Sequence, residues 1–188
     1  MKQRFNSFAE LSRHKKEGEH YSIIVQEKSG SDIAIVAPHG GFIEHHTSEI
    51  ARKIASNDHN LYIFESLERK DSFFELHIES TRFEEPRCME LVSKTDTVLT
   101  IHGCQEEEPV IYLGGKDEKM KSSLAEAFNK NGIKAVTENH AYPGKSPQNI
   151  CNKNKRAQGV QLEFSKGIRD NPELTDKCVD IIRKHLKS

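Results

Sequence analysis

Short apolar runs bounded by turn-forming residues recur along the chain and alternate with segments of helical periodicity. Runs that are rich in Val, Ile, Leu and aromatic residues, and that end near Gly, Ser, Asn or Asp, are typical of buried strands. They predict strands over residues 21–27, 32–38, 60–66, 75–81, 96–103, 109–115, 133–138 and 159–165.

Apolar residues spaced three or four positions apart predict the helices. Ser7 and Glu10 have the spacing of a capping box and predict the start of a first, short helix. Gly132 ends a long amphipathic segment, and Pro172 stands near the start of the last one. The predicted helices cover residues 6–17, 47–57, 86–94, 116–132 and 172–186.

The alternation of helices with strands that are apolar on both faces predicts an α/β fold. We expect a mixed, mostly parallel sheet with helices on both of its faces. A chain of 188 residues can bury a sizeable core, and no repeat, low-complexity tract or linker-like stretch divides it. We therefore expect a single domain over residues 1–188.

Composition and charge narrow the classes of function. Hydrophobic residues make up 35% of the chain and charged residues 30%, which indicates a globular protein. The formal net charge of -1 provides no basic excess, so we expect no nucleic-acid partner. No apolar run approaches the roughly 20 residues needed to span a bilayer, so no membrane partner is expected.

The beginning of the sequence lacks the apolar stretch of a signal peptide, so we expect cytoplasmic synthesis. A protein that is released on cell lysis and then acts outside the cell would have the same features. The cysteines form no C-x-x-C pair, and free thiols are expected in a reducing compartment.

Candidate chemistry lies at the ends of predicted strands. His39 and His102 each follow an apolar strand and precede a glycine, and Glu163 ends a further strand. Binding sites in open parallel sheets form beyond the carboxyl ends of the strands, so these side chains should meet at one edge. Glu44 follows His39 by five residues, and the glycines between them permit a sharp turn.

Two histidines and one carboxylate form a common catalytic zinc site that keeps one position for water. Zinc activates that water near neutral pH, and a carboxylate free of the metal accepts its proton. His39, Glu44 and His102 are therefore candidate ligands, and Glu163 is the candidate base. The residues alone leave other interpretations open: a turn histidine, a carboxylate favoured by a helix N-terminus, or a strand-end carboxylate in solvent.

The remaining histidines are ambiguous. His77 alternates with apolar residues in a predicted strand, and we expect a structural residue, with a site-facing role as the alternative. His45 and His46 are expected to be solvated or to lie behind the ligands. His140 stands in a loop, where it could contact a substrate or be an ordinary surface residue.

Four sequence blocks together resemble the phage-type poly-γ-glutamate hydrolases, which are similar to zinc peptidases of the carboxypeptidase A class. The blocks are "PHGGFIEHHTSEIA", "LHIESTRFEEP", "TIHGC" with "VIYLGG", and "GVQLEFSKGIR", and they occur in the family's order between Ile33 and Arg169. "HGG" alone is a weak signal, but the agreement of four independent blocks is specific.

The resemblance implies a carboxypeptidase-like α/β fold and one zinc ion, held by His39, Glu44 and His102, with Glu163 as the general base. The implied reaction is hydrolysis of the γ-glutamyl amide bonds of poly-γ-glutamate, an anionic polymer of bacterial capsules and biofilms. Phages or prophages use such enzymes to clear the polymer from the host surface. We expect a monomer.

A polyanionic substrate should meet cations along its path. Arg82, Arg169 and one of Lys153 or Arg156 are candidates for binding substrate carboxylates or the developing oxyanion. Ordinary surface charges are the alternative for each. His140 completes the candidate substrate-binding set, and the acidic residues 106–108 are expected to point to solvent.

Some residues depart from the family's pattern. Asn is usual where this chain has Arg82, and "NRG" is usual where it reads Asn152-Lys153-Asn154. Lys cannot replace the bidentate fork of Arg, which puts that contact in doubt. Two alternatives follow: a zinc amidohydrolase that acts on a small N-acyl-glutamate or a peptidoglycan γ-glutamyl bond, and a catalytically impaired phage protein that binds the polymer.

Overall fold

The computed structural model describes residues 3–187, and its strands form one sheet. The strands are β1 (Tyr21–Gln26), β2 (Ile33–Gly41), β3 (Asn60–Ser66), β4 (Thr97–Gly103), β5 (Val110–Gly115), β6 (Lys134–Val136) and β7 (Val160–Phe164). Their order across the sheet is β1-β3-β2-β4-β7-β5-β6. The strands β3, β2, β4 and β7 are parallel, whereas β1 and β5 are antiparallel to β3 and β7. The predicted mixed, mostly parallel sheet is confirmed.

The helices follow the capping chemistry that the sequence indicates. They are α1 (Phe8–Leu11), α2 (Thr47–Ala55), α3 (Ser72–Leu76), α4 (Pro86–Ser93), α5 (Glu118–Lys130), α6 (Lys166–Arg169) and α7 (Pro172–Leu186), with a 3₁₀ turn at Ile150–Asn152. Side-chain oxygens of Ser7, Asp117 and Asn171 accept backbone N–H groups in the first turns of α1, α5 and α7. The predicted domain, residues 1–188, includes Met1, Lys2 and Ser188, which lie outside the described residues.

Helices cover both faces of the sheet, as predicted. The helices α2, α5 and α7 pack on one face, and α1, α3 and α4 pack on the other. Strand β2 shows the reason: Ile35 and Ala37 belong to the first core, Ala34 and Val36 belong to the second, and all are fully buried. Each buried Val or Ile side chain stabilises the fold by ~1.5–3 kcal/mol.

The predicted strand over residues 75–81 is wrong. Helix α3 ends at Leu76, and the chain continues through residues 77–81 as a loop that belongs to none of the strands in the described chain. Leu76 and Ile78 are fully buried in the second core, with polar His77 between them. The alternation therefore comes from an extended loop laid across the core. Helix α1 also ends earlier than predicted, because the residues after Leu11 are largely exposed.

Three adjacent parallel strands deliver the candidate residues to one edge of the sheet. His39 lies near the end of β2, His102 near the end of β4, and Glu163 near the end of β7. These strands are neighbours in the order β2-β4-β7. His102 and Glu163 are partners in register.

A glycine turn closes the first part of the site. The pairing of β2 with β3 shifts register between Ala37 and Gly40. Gly41 then has a φ of 64° and lies against the backbone of Ser66, where a Cβ atom would collide. This turn brings the chain back, so that the backbone N–H of Glu44 donates to the carbonyl of His39 (2.9 Å).

Candidate metal centre

His39 is held in one orientation by a backbone carbonyl. Its Nε2–H donates to the carbonyl oxygen of Ile78 (2.7 Å), and its ring is 2% exposed. In the neutral form that binds a metal, an imidazole carries one N–H, so Nδ1 is then the atom of His39 that offers a lone pair. This nitrogen lies 3.0 Å from Oε1 of Glu44.

His102 has a similar arrangement. Its Nε2 lies 3.5 Å from the hydroxyl oxygen of Ser80, and its Nδ1 lies 3.1 Å from Nδ1 of His39. Burial, reinforced by the neighbouring His39, lowers the pKa of His102 well below its ordinary value. The ring is therefore neutral, and its Nδ1 faces the same point as that of His39.

Glu44 completes the cluster from the glycine turn. Its Oε2 accepts the backbone N–H of Gly103 (2.8 Å) and lies 3.8 Å from Nδ1 of His102. The carboxylate is 7% exposed. The Gly103 bond fixes one oxygen, and the other oxygen faces His39.

This cluster fits a divalent metal ion. The inward atoms of His39, Glu44 and His102 are two imidazole lone pairs and a carboxylate, with the outward nitrogen of each ring directed at a protein oxygen. A divalent cation placed among these atoms would be attracted to all three of them. Outward bonds of this kind orient the imidazoles of metal sites, and two nitrogens with one carboxylate oxygen suit zinc.

A further imidazole, that of His77, joins the cluster. Its Nε2 lies 3.8 Å from Oε1 of Glu44, and its ring packs between Phe73 (4.3 Å between centroids) and His39 (4.1 Å). Burial, reinforced by His39, lowers the pKa of His77 to about 2. Ligand atoms of His39, Glu44 and His77 all lie within 4.8 Å of one another. Of the two expectations for His77, a structural residue or a site-facing one, its place in this cluster favours the second. Its position in the "LHIEST" block was the signal for a site residue.

Glu163 stands beside the cluster as a buried carboxylate. Its Oε1 accepts a hydrogen bond from Nε2 of Gln161 (2.9 Å), and the residue is 6% exposed. Burial, reinforced by the charge of Glu44, raises the pKa of Glu163 well above its ordinary range. A carboxylate with a raised pKa is a stronger proton acceptor, as a general base requires.

A cleft of about 830 Å³ opens over these residues. His39, Glu44, His77, His102 and Glu163 all line it. Residues 141–146 of a loop also line it.

The charged groups of the cleft are mostly acidic. Glu79 and Glu106 join the site carboxylates in its lining. Among the described residues that line the cleft, Lys145 is the only lysine or arginine. The expectation that Glu106 points to solvent is wrong, because the Tyr142 hydroxyl donates to it (3.4 Å) within the cleft wall.

The predicted substrate-binding arginines lie outside this lining. Arg169 is 5% exposed, and its guanidinium donates to the carbonyls of Phe164 (3.0 Å), Cys104 (2.8 Å) and His45 (2.5 Å). Arg82 is exposed and donates to Asn6 (3.1 Å). The predicted substrate contacts of these arginines stay predictions.

The other predicted substrate-binding residues also have protein partners. Lys153 donates to Gln148 (2.6 Å), and Arg156 pairs with Asp117 (3.1 Å). Nε2 of His140 lies 3.3 Å from the carbonyl of Leu113. Lys153, Arg156 and His140 do not line the cleft in the described part of the chain. Their substrate contacts stay predictions as well.

The departure at Asn154 falls on a structural position. Its side-chain amide donates to the carbonyls of Asp96 (2.7 Å) and Gln158 (2.8 Å), and its oxygen accepts the N–H of Gln158 (3.0 Å). The residue is 5% exposed. Asn154 therefore closes a loop and is not among the residues that line the cleft.

The model of a protein family described as poly-γ-glutamate hydrolase matches residues 5–177. The chain belongs to the poly-γ-glutamate hydrolase family. The resemblance that the four sequence blocks indicate is thereby confirmed. The relation to carboxypeptidase A stays a prediction.

Two proteins of similar sequence come from Bacillus subtilis strain 168. The UPF0714 protein YndL is 36% identical over 167 residues, which cover 88% of this chain and 65% of YndL. The SPbeta prophage-derived UPF0714 protein YoqZ is 36% identical over 167 residues, which cover 86% of this chain and 58% of YoqZ. The chain thus spans less than two thirds of the length of these curated relatives.

Solved structures share the fold. A bacteriophage poly-γ-glutamate hydrolase matches with a TM-score of 0.92 at 24% identity, over 98% of this chain and 97% of that chain. A zinc-free, apo structure of YndL matches with a TM-score of 0.90 at 31% identity, over 100% and 98%. Within residues 3–187, no helix combines the length and the apolar character needed to cross a membrane.

Proposed function

We propose that this member of the poly-γ-glutamate hydrolase family is a zinc-dependent hydrolase of the γ-glutamyl amide bonds in poly-γ-glutamate. His39, Glu44 and His102 are the proposed zinc ligands, and Glu163 is the proposed general base. The observation that carries the proposal is the convergence of three metal-binding acceptors beside a buried carboxylate in one cleft. The zinc-free form of YndL supports zinc as the metal.

When bound, zinc supplies a Lewis acid that acidifies a water molecule and polarises the amide carbonyl. Glu163 accepts the proton of the attacking water as the new carbon–oxygen bond forms. It returns that proton to the leaving nitrogen as the carbon–nitrogen bond breaks. The second proton of the water stays on the new carboxyl group, so a carboxylic acid and an amine result, which exchange that proton to give a carboxylate and an ammonium. The outward bonds of His39 and His102 hold both imidazoles in the ligand orientation.

The cleft also supports a polymeric substrate. Each residue of poly-γ-glutamate keeps a free α-carboxylate, and Lys145 offers it a cation at the cleft wall. A cleft of about 830 Å³ that opens to solvent suits a chain that passes through it. Asn154 departs from the family's pattern, but its side chain closes a loop and does not line the cleft. This departure is therefore compatible with an active enzyme and gives no support to an impaired polymer-binding protein.

The action of the protein outside the cell, after release by lysis, and its monomeric state are parts of this proposal. The chain covers 65% of YndL and 58% of YoqZ, and the described residues nevertheless include the whole metal cluster, the base and the cleft.

The experiment is incubation of the zinc-loaded protein with purified poly-γ-glutamate, followed by size-exclusion chromatography of the polymer. We expect the polymer to shorten and free amines to appear in equal number to the bonds broken. A small N-acyl-glutamate and a peptidoglycan γ-glutamyl peptide serve as competing substrates. Unchanged polymer length, with zinc occupancy confirmed, would refute the proposal. Faster cleavage of a small substrate than of the polymer would show that the small molecule, and not poly-γ-glutamate, is the preferred substrate.

A further inference from the structure

A row of buried amides leads from the 3₁₀ turn to Glu163. The backbone N–H of Cys151 donates to Oδ1 of Asn149 (3.1 Å), and Nδ2 of Asn149 donates to Oε1 of Gln161 (2.7 Å). Nε2 of Gln161 then donates to Oε1 of Glu163 (2.9 Å). Asn149 is 4% exposed and Gln161 is 6% exposed.

The first bond of this row fixes the direction of the others. A backbone N–H can only donate, so Asn149 must present its oxygen to Cys151 and its amino group to Gln161. Gln161 must in turn present its oxygen to Asn149 and its amino group to Glu163. The orientation of the donor at the carboxylate is therefore set by a backbone group two side chains away.

A neutral donor suits a general base at this place. A cation beside the carboxylate would favour its charged form strongly and make it a weaker proton acceptor. An amide instead fixes one oxygen of Glu163 and leaves the second oxygen to exchange a proton with water and with the leaving nitrogen.

We propose that Gln161 is a positioning residue for Glu163 and that Asn149 sets the orientation of its amide. This inference rests on the proposed function, in which Glu163 is the general base. Asn149 is anchored apart from the metal cluster, because it caps the turn Ile150–Asn152 with its own side chain.

Two nearly isosteric substitutions test different hydrogen bonds of this row, the one from Gln161 to Glu163 and the one from Asn149 to Gln161. Gln161→Glu replaces the donor with an acceptor. Asn149→Asp presents acceptors to both neighbours, so the amide of Gln161 must rotate and turn its oxygen towards Glu163. We expect each to lower kcat on poly-γ-glutamate on the order of 100-fold, with KM changed by less than about twofold. The zinc content and the thermal midpoint should stay near those of the unmodified protein.

Gln26→Glu is the matched control, because it makes the same change at an exposed position. Gln26 lies in the edge strand β1, which three strands separate from β7, the strand that carries Gln161 and Glu163. Its kcat should equal that of the unmodified protein. The nitrogen-15 spectrum gives a readout that needs no activity. The side-chain amide signal of Gln161 should move in Asn149→Asp and stay in place in Gln26→Glu.

The outcomes separate this inference from the proposed function. Full kcat in both variants, with Glu163→Gln inactive, would overturn the positioning role alone. A loss confined to KM or to thermal stability, or an unmoved Gln161 signal in Asn149→Asp, would overturn it as well. An active Glu163→Gln variant would instead overturn the proposed base.

Discussion

Nδ1 of His39 lies 3.1 Å from Nδ1 of His102, and the outward nitrogen of each ring is directed at a protein oxygen. In the metal-binding form of both rings, each Nδ1 offers a lone pair at this distance, beside the carboxylate of Glu44. A cation among these three groups is attracted to all of them. A metal ion that binds here should therefore stabilise the folded protein.

Zinc is accordingly expected to stabilise the folded protein. At a free zinc concentration 100 times the Kd, binding adds about 2.7 kcal/mol, which corresponds to roughly 5–10 °C in Tm for a chain of this size. Scanning fluorimetry of chelator-treated protein, with and without added zinc, measures this shift. His102→Ala should abolish it and His46→Ala, at an exposed position, should retain it. An equal shift in His102→Ala would contradict the assignment.

His77→Ala is expected to weaken zinc binding about 10-fold to 100-fold, because its Nε2 faces Glu44 and its ring packs on His39. Competition with a fluorescent chelator measures the Kd. The control is His45→Ala, whose side chain is not among the residues that line the cleft. Unchanged affinity in His77→Ala would show that this ring only fills space beside the metal cluster.

Lys145→Ala is expected to raise KM for poly-γ-glutamate about threefold to tenfold, with little change in kcat, because it removes a charged partner of the α-carboxylate. The side chain is exposed and lies 3.7 Å from Glu118, so the effect should shrink as salt is added. Lys130→Ala, at the end of α5 and away from the cleft, is the control. A KM that does not depend on salt in the unmodified protein would contradict this role.

Arg169→Ala is expected to destabilise the fold by about 2–5 kcal/mol, because it leaves buried carbonyl groups without donors. Arg169→Lys should also destabilise it, since one ammonium cannot reproduce the guanidinium fork. Urea denaturation measures both, with exposed Arg82→Ala as a control expected within about 0.5 kcal/mol of the unmodified protein. Unchanged stability of Arg169→Ala together with a raised KM would indicate a substrate contact instead.

The strand ends could be predicted from the sequence because two simple patterns coincide there. Apolar runs mark the buried strands, and the parallel sheet brings their carboxyl ends to one edge. His39, His102 and Glu163 were accessible to that reasoning, and the glycine turn indicated Glu44. All four side chains line one cleft, as this reasoning predicts.

The other features of the site depend on contacts between residues that are far apart in the sequence, which no local pattern of residues can indicate. Residues 77–81 alternate like a strand, but they form a loop over the core. The position of His77 beside the metal cluster could therefore not be predicted from the alternation. Arg169 has backbone carbonyls from separate segments as partners, which composition cannot reveal. The bond from Asn149 to Gln161 likewise joins a loop turn to β7.

Anomalous diffraction at the zinc edge, from crystals grown with zinc, tests the metal centre most directly. We predict one strong peak at about 2.0–2.2 Å from Nδ1 of His39, Nδ1 of His102 and an oxygen of Glu44. A peak elsewhere in the molecule, or no peak at this cluster under zinc saturation, would contradict the account.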